Sequence, residues 1–372
     1  MTAAGLIKKL EHLLKDALFH LLCGVLKPAD RSRVPVRPAS IKSILFLRPD
    51  KLGDMIVTIP AMHAIKAEFP HIRVELLASP RNKSIVAQDP SIDAVHLYTK
   101  NILRDLPMML RLRRKRFDLI FDPICHDSIT GLLLSRIIGS ASIHAAARKL
   151  KYYRFYDYCE PYQPDGEEHN IDNSLLVFRV MGIDPASINP FYPPWMSEQA
   201  LSRASSFVAD LPREAFRIGV NISAGSWTRT LPVETYEAII KGISAETPTC
   251  GFVVFCVMED RAKGEELVRR VGTSARLIPP NLSLQESSAI LQEMNLFISP
   301  DTSLVHISGL MRIPTVGLYS GHMRNYHSWK PYRQRHGSVI AASPNDIHDI
   351  TPAQVIEEYR RVRADSDHGQ AR

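Results

Sequence analysis

Residues 48–54 (RPDKLGD) are the first segment whose residue types suit catalysis. They follow an apolar run at 44–47, which predicts a strand, and they precede a helical pattern over 54–68. Ligands of open α/β sheets bind beyond the carboxyl ends of the strands. Asp54 is therefore either a general base that removes a proton from a substrate hydroxyl or simply a helix cap.

A second candidate segment, 299–306 (SPDTSLVH), follows an apolar strand and opens a helix. Free N–H groups at a helix start attract phosphate, and the helix dipole adds to the attraction. Asp301 and Thr302 are candidates for this contact or for capping. His306 is equally well interpreted as a ligand or as a core histidine with a hydrogen-bond partner.

The third candidate segment, 223–232 (SAGSWTRTLP), also lies between a predicted strand and a predicted helix. Its small residues, beginning with Ser223, allow a diphosphate to approach the backbone. Arg229 is placed to neutralise a departing anionic group, or it is a solvated arginine on a loop. No GxGxxG follows the first strand, no GxxxxGK[ST] occurs, and no metal-ligand cluster has convincing spacing, which argues against dehydrogenases, P-loop enzymes and metal sites.

Short apolar runs alternate with helical stretches along most of the chain. Predicted strands lie at 44–47, 74–77, 94–97 and 117–121 in the first half, and at 217–221, 252–257, 276–278, 296–299 and 315–318 in the second. This alternation is typical of parallel sheets covered by helices on both faces. A proline-rich region at 186–215 separates the halves, so we expect two doubly wound α/β domains facing each other across a cleft.

We expect four parts along the sequence. They are an N-terminal helix with a basic, proline-containing linker (1–40), a first Rossmann-like domain (41–185), a second Rossmann-like domain (186–347) and a C-terminal helix with a tail (348–372).

Residues 5–27 form an amphipathic helical pattern, with an apolar stripe and a charged stripe. Such a helix lies in a membrane interface, packs on the core of its own protein, or packs on a second copy. Lys8, Glu11 and Lys15 interrupt the apolar run, so it predicts neither a signal peptide nor a membrane span. The five cysteines include no CxxC pair, which favours a reducing compartment. We expect a cytoplasmic protein, peripheral on the inner membrane if the helix binds lipid.

The formal net charge of +7 favours an acidic partner, although it is also compatible with a role in solubility alone. Nucleic acid is one such partner, but no nucleic-acid motif accompanies the charge. Arg81 and Lys83, after the second predicted strand, and Arg148, after the fourth, are candidates for contacts to an acidic substrate. The basic run 111–116 is better interpreted as a solvated helix end.

The order of these segments resembles glycosyltransferase family 9, the ADP-heptose:lipopolysaccharide heptosyltransferases, over roughly residues 42–345. The resemblance rests on LGD followed by TIPA at 52–61, FDLIFD at 117–122, HNIDNSLLVFRVMGI at 169–183, and DTSLVH followed by IPTVGLY at 301–319. It implies a GT-B fold, an inverting mechanism without a required metal or cofactor, and a sugar nucleotide, ADP-heptose, as donor. It also implies that the first domain binds the acceptor and the second the donor.

The resemblance also implies residue roles. Asp54 matches the catalytic base of the family. The donor contacts match Arg229, Glu259, Leu282, Asp301, Thr302, Ser303 and His306, with Ser223 nearby. Arg229 stands where the family has lysine, and Ser303 where it has glycine. The acceptor implied is an acidic glycolipid of the Kdo–lipid A type.

Two other functions remain open. A transferase of the same fold can use another sugar nucleotide, or another glycan or protein acceptor. A catalytically inactive GT-B module would bind a nucleotide or a partner only, although the presence of Asp54 argues against it.

Overall fold

The computed structural model describes residues 17, 19–21, 23–139, 141–163, 166–209 and 216–369. These residues form two parallel β-sheets, each covered by helices. Residues 1–16, the larger part of the amphipathic segment at 5–27, lie outside the described residues.

The first sheet contains six parallel strands, β1 to β6. Their bounds are Ser43–Arg48, Arg73–Ala78, Ala94–Leu97, Leu119–Asp122, Ile143–Lys149 and Tyr158–Pro161, and their spatial order is β3-β2-β1-β4-β5-β6. The central strands are continuous apolar runs because helices cover both faces of the sheet. In β1, every residue after Ser43 is buried.

Within the part of the first domain that the structure describes, helices α1 to α6 accompany this sheet. Their bounds are Leu52–Ile56, Ile59–Glu68, Ile102–Lys115, Ile129–Ile138, Asn170–Leu175 and Val177–Val180. Apolar residues of α2, α5 and α6 pack in one cluster with alternate residues of β1, and those of α3 and α4 pack on the other face of the sheet.

The second sheet contains β7 to β12, also parallel. Their bounds are Phe216–Asn221, Cys250–Phe255, Ala275–Leu277, Leu296–Pro300, Thr315–Tyr319 and His336–Ile340, in the order β12-β11-β10-β7-β8-β9. The helices α7 to α13 are Glu198–Ala209, Val233–Glu246, Arg261–Val271, Leu284–Gln292, Ser303–Leu310, Met323–Trp329 and Pro352–Gly369. Helix α13 packs its Val355, Tyr359 and Val362 into the core of this sheet.

Both sheets have the strand order 3-2-1-4-5-6 when each is numbered from its own first strand. In this doubly wound topology the order in which strands are added to the sheet reverses between strands 1 and 4. A crevice opens there, at the carboxyl ends of the strands. The two domains are packed together, since one apolar cluster runs from β1 to β10. The expectation of two doubly wound domains is confirmed.

Several local predictions were wrong. The helix expected over 54–68 is two helices, α1 and α2, with Thr58 between them. Asp54 lies in the first turn of α1, and Lys51, not Asp54, takes the cap position. Arg148 lies within a strand, β5, rather than after one. The strands β5, β6 and β12 were missed altogether.

The domains also contact each other through the start of α5. The His169 Nε2–H donates to the Lys330 carbonyl at 2.8 Å, and its Nδ1 accepts from the Ile171 N–H at 3.1 Å. Burial lowers the pKa of His169 to about 3. The imidazole is therefore neutral, and its two hydrogen bonds fix the proton on Nε2. Through the bond to Lys330 this histidine joins the first domain to the second.

The described part of the N-terminal segment packs on the protein. The Phe19 ring stacks on that of Tyr152, with centroids 5.5 Å apart, and Cys23 and Leu26 join the same cluster. Leu21 and Val25 remain exposed. None of the helices in the described ranges has the length and apolar character needed to cross a bilayer.

Candidate functional site

A cavity of about 690 Å³ lies between the two domains. The first domain lines it with the segment after β1, with residues after β4, and with Arg148 of β5. The second domain lines it with Arg229, with the start of α11, and with α12. The carboxyl ends of both sheets thus face a common space, as doubly wound topology predicts for a ligand site.

Asp54 lies on the first-domain side of this cavity, with 23% of its side chain exposed. Its backbone carbonyl accepts from Arg48 Nε at 2.8 Å and from Thr58 Oγ1 at 2.9 Å. Its carboxylate lies 3.5 Å from Arg48 Nη2. Asp54 is therefore held in place by its main chain while its carboxylate stays accessible, as a general base requires.

Asp50 is a second carboxylate in the cavity, and it was not among the predicted site residues. Arg48, whose side chain is 4% exposed, bridges the two carboxylates, with Nη1 at 3.1 Å from Asp50 Oδ2. Burial raises the pKa of Asp50 to about 6, against the lowering effect of Arg48, and the nearby Asp54 raises it further. Its Oδ1 is buried without a hydrogen-bond partner in the described part of the chain.

Asp301 and Arg229 lie on the second-domain side. Arg229 Nη1 donates to the Asp301 carbonyl at 3.0 Å and lies 3.4 Å from its Oδ2. Asn325 donates to the same Oδ2 at 3.1 Å. The Arg229 side chain is 40% exposed, so the guanidinium remains available to an anion in the cavity.

Thr302 and Ser303 form the start of α11, at the end of β10. Asn221 Nδ2 donates to Thr302 Oγ1 at 3.1 Å and to Ser299 Oγ at 3.0 Å. The Thr302 side chain makes no capping bond, and its backbone is extended. The first N–H groups of a helix lack intrahelical partners, so this end of α11 is suited to an anion.

His306 is buried and lines the cavity from α11. Burial lowers its pKa, and the nearby Asp301 and Asp54 only partly offset that effect. Its Nδ1 has no hydrogen-bond partner among the described residues. A Cβ built on Gly53 would lie 3.7 Å from its Cδ2, so the LGD turn and α11 are in close approach. A neutral imidazole here can exchange a hydrogen bond with a ligand hydroxyl.

A second cavity, of about 900 Å³, adjoins the first. Ser223, Glu259 and Leu282 line it, so three of the predicted donor residues come together there. Both cavities share Leu52, Gly225, Thr302 and Ser303. Apolar side chains dominate the second cavity, whereas charged ones surround the first. An elongated ligand with an apolar end and an anionic centre fits this pair.

Of the predicted acceptor residues, only Arg148 lines either cavity among the described residues. It pairs with Glu160 at 2.7 Å and with Glu168 at 3.6 Å. Arg81 and Lys83 are exposed residues of the segment after β2 and lie outside both linings. Lys51, His126 and Arg324, which line the first cavity, were not predicted.

Lys149, next to Arg148 in sequence, is buried and pairs with the buried Asp122 at 2.8 Å. The basic run 111–116 covers the last five residues of α3 and the residue after it. The described residues contain no group of three or more His, Cys, Asp or Glu side chains arranged to hold a metal ion.

The fold and the paired crevices define a two-domain α/β protein with its site between the domains. The family model of glycosyltransferase family 9 (heptosyltransferase) matches residues 108–353. The chain belongs to this family, and it is a glycosyltransferase.

Individual relatives are distant in sequence but cover most of the chain. Lipopolysaccharide heptosyltransferase 3 of Escherichia coli is 20% identical over 75% of this chain and 83% of its own length. Among solved structures, a family 9 glycosyl transferase from Veillonella parvula has a TM-score of 0.72 at 17% identity, over 87% of this chain and 97% of its own. The E. coli heptosyltransferase WaaC with ADP-2-deoxy-2-fluoro heptose has a TM-score of 0.64 at 14% identity, over 86% and 99%. The expected GT-B fold is confirmed.

Proposed function

We propose that this protein is an inverting, metal-independent glycosyltransferase that moves a heptose from ADP-heptose to the inner core of lipopolysaccharide. The observation that carries the proposal is a single cavity with Asp54 on one side and Arg229 and Thr302 on the other. The heptosyltransferase relatives support the sugar, and WaaC, solved with ADP-2-deoxy-2-fluoro heptose, supports the nucleotide.

The donor is proposed to span both cavities. Its base occupies the apolar second cavity beside Leu282, and its ribose lies near Glu259. Its diphosphate lies at the shared boundary, against the N–H groups of Thr302 and Ser303 and the guanidinium of Arg229. The heptose then projects into the first cavity, towards Asp54 and His306.

The chemical step is a displacement at the anomeric carbon. An acceptor hydroxyl oxygen forms a bond to that carbon from the face opposite the diphosphate. Its proton passes to the Asp54 carboxylate. The bond from the anomeric carbon to the diphosphate oxygen breaks, and ADP leaves with the electron pair. Arg229 and the start of α11 stabilise the negative charge that develops on ADP, so the step needs no metal ion.

The acceptor is proposed to be acidic and lipid-anchored, of the Kdo–lipid A type. Lys51 of the first domain and Arg324 of α12 line the first cavity and supply positive charge to it, and Arg148 is proposed to contact the acceptor beside its partners Glu160 and Glu168. Arg81 and Lys83 would contact a part of the acceptor that extends outside it. The protein would then work in the cytoplasm, at the face of the inner membrane.

Asp54→Asn tests the proposal. We expect transfer from ADP-heptose to heptose-deficient lipopolysaccharide to fall by about 10²- to 10⁴-fold, because the amide cannot accept the proton. ADP affinity should stay within about twofold of wild type, since the substitution is isosteric and Asp54 lies on the first-domain side of the cavity, opposite the proposed phosphate contacts. Asp184→Asn, at a side chain 58% exposed and paired with Arg179, is the matched control.

The possible outcomes separate the alternatives. Wild-type transfer by Asp54→Asn would exclude Asp54 as the base. ADP binding without transfer of any sugar by the wild type, across a panel of sugar nucleotides, would support an inactive module. Transfer of a different sugar would keep the mechanism and replace the donor.

A further inference from the structure

We propose that the outer faces of α3 and α4 dock the protein on an anionic phospholipid bilayer, beside the opening of the interdomain cavity. The inference deepens the proposed function, because it supplies the surface that brings a lipid-anchored acceptor to Asp54. It concerns a different part of the chain from the amphipathic segment at 5–27.

Large apolar side chains cluster on these two helices in exposed positions. Leu103 is 84% exposed and Ile102 is 73% exposed. We define the apolar face as the exposed hydrophobic residues of α3 and α4, namely Ile102, Leu103, Leu106, Leu110, Leu133 and Ile137. Isolated exposed leucines are ordinary, but a contiguous set marks an interaction surface.

Helical geometry places the α3 members together. At 3.6 residues per turn, positions 102, 103, 106 and 110 fall within about 100° of arc. Met108, Met109 and Leu112 point to the core over an adjoining arc of about 100°. Arg113 Nη1 donates to the Ile137 carbonyl at 2.7 Å, so the end of α4 adjoins α3 and the two helices contribute to one surface.

The segment that carries most of the apolar face is strongly basic. Residues 98–116 contain seven Lys and Arg residues and one acidic residue, Asp105, and one of the seven, Lys115, pairs with the buried Glu75 at 2.6 Å. Asp105 is buried, and its carboxylate accepts from the Thr99 N–H at 3.0 Å and from Thr99 Oγ1 at 2.9 Å. Arg104, Arg111 and Arg114 are exposed. Leucines flanked by arginines on one helix are typical of interfacial helices that bind anionic lipid.

This charge also favours lipid over a second copy of the chain. Two such faces brought together would place like charges opposite each other, which opposes association. An anionic bilayer instead offers negative headgroups to the arginines and acyl chains to the leucines.

The topology places the start of the apolar face, Ile102 and Leu103, at the same edge of the first sheet as the interdomain cavity. Helix α3 begins five residues after the end of β3, at the carboxyl edge of the first sheet. Strands β3, β2 and β1 are neighbours, so the ends of β3 and β1 lie about 10 Å apart at the usual strand spacing. Asp54 follows β1 at that same edge. A bilayer against Ile102 and Leu103 would therefore present a lipid-anchored sugar close to the cavity.

Leu103→Glu is the principal test, measured by co-sedimentation of the full chain with vesicles of phosphatidylethanolamine and phosphatidylglycerol, without donor or acceptor. An acidic residue in the first turn of α3 is compatible with the helix dipole, so the variant should fold. Leu201→Glu, at a side chain 38% exposed on α7, is the matched control. We expect at least tenfold weaker vesicle binding for Leu103→Glu and wild-type binding for Leu201→Glu.

Further measurements separate charge and oligomeric state. Arg111→Glu with Arg114→Glu should weaken binding to the anionic vesicles by at least tenfold, and phosphatidylcholine vesicles should bind the wild type at least tenfold more weakly. Wild-type vesicle binding by Leu103→Glu would overturn the proposal. So would a wild-type dimer in sedimentation velocity that Leu103→Glu converts to monomer.

The test is independent of the proposed chemistry. Asp54→Asn should bind vesicles as the wild type does, and Leu103→Glu should retain wild-type transfer to a water-soluble acceptor fragment. Loss of vesicle binding in Leu103→Glu therefore supports the docking surface even if ADP-heptose is not the donor. Conversely, if Leu103→Glu transfers the sugar and still binds vesicles as the wild type does, the proposed chemistry is supported and the docking surface is rejected.

Discussion

The two sheets share one strand order, and each has an aspartate paired with a cation at the end of its fourth strand, yet the two pairs differ in accessibility. Asp122, at the end of β4, pairs with Lys149 at 2.8 Å, and neither side chain is exposed. Asp301, just after β10, pairs with Arg229 at 3.4 Å, with 11% and 40% of the side chains exposed. The same topological position thus holds a closed pair in one domain and an open pair in the other.

The remaining contacts explain the difference. Lys149 Nζ also donates to the Ile124 carbonyl at 2.7 Å and to the His126 carbonyl at 3.1 Å, and Tyr156 donates its hydroxyl to Asp122 at 3.1 Å. A buried ion pair is stable only when its remaining donors and acceptors also form hydrogen bonds. Because these contacts are already made within the protein, the pair has no donor or acceptor available to a ligand. The open pair keeps donors for an incoming anion. The comparison therefore predicts a structural role for Lys149 and a binding role for Arg229.

The largest expected effect is on stability, from Lys149→Met. Removing the cation leaves Asp122 buried and uncompensated, which costs about 3–5 kcal/mol of unfolding free energy. Urea unfolding at neutral pH measures it. Lys241→Met, at a side chain 57% exposed and paired with Glu237 on α8, should change the unfolding free energy by about 0.5 kcal/mol or less. A loss below about 1 kcal/mol for Lys149→Met would remove the distinction between the two pairs.

Arg229→Ala should affect binding rather than stability. If Arg229 binds the diphosphate as proposed, loss of this charge-assisted hydrogen bond costs about 1.5–3 kcal/mol, or about 10- to 150-fold in ADP affinity by calorimetry. Arg229→Lys keeps the charge without the planar fork, so its affinity should be intermediate. Arg179→Ala, at a side chain 50% exposed outside both cavities, is the control. If Arg229→Ala left the ADP affinity unchanged and markedly lowered the free energy of unfolding, the pair of Arg229 and Asp301 would be structural, like that of Lys149 and Asp122.

The same comparison shows what the sequence could predict. The segments containing Asp54, Arg229 and Asp301 were recognisable because each follows an apolar run and opens a helix, and all three line the cavity. Strand β5 was missed because IHAAARK is rich in alanine and ends in two cations. Arg148 and Lys149 are adjacent in β5 and therefore point to opposite faces of the sheet. Arg148 pairs with the partly exposed Glu160 and Lys149 with the buried Asp122, and only the packing of the sheet assigns one to the cavity and the other to the core.

Asp50 was missed for a related reason. It stands four residues before Asp54 in the same motif, but its environment depends on Arg48, whose burial is a tertiary property. An arginine at a strand end is ordinarily solvated, so residue type alone gives no indication of a cation shared by two carboxylates. Arg81 and Lys83 illustrate the converse, since position after a strand did not bring them into either cavity lining among the described residues.

The smallest expected effect concerns the pH dependence contributed by Asp50. Its pKa is raised to about 6 in the folded protein, above the ordinary 3.8 expected on unfolding, chiefly because it is buried. The folded state then binds the proton more tightly, so this group stabilises the fold most below about pH 4 and loses that contribution as the pH rises through about 6. Asp50→Asn cannot titrate and lacks this dependence.

Other groups titrate over the same range, so the informative quantity is the difference between the wild-type and Asp50→Asn unfolding free energies at each pH. His144, whose pKa burial lowers to about 3, contributes in the opposite direction and cancels in that difference. With 27% of the Asp50 side chain exposed, solvent screening reduces the effect, and we expect the difference to shift by about 1 kcal/mol between pH 4 and pH 7. The shift should favour the variant at the higher pH, because the wild type must then hold two carboxylates against one arginine. A difference that stays flat across this range would mean that Arg48 neutralises Asp50 as fully as Lys149 neutralises Asp122, and that the first domain holds two closed pairs, one of them at the crevice.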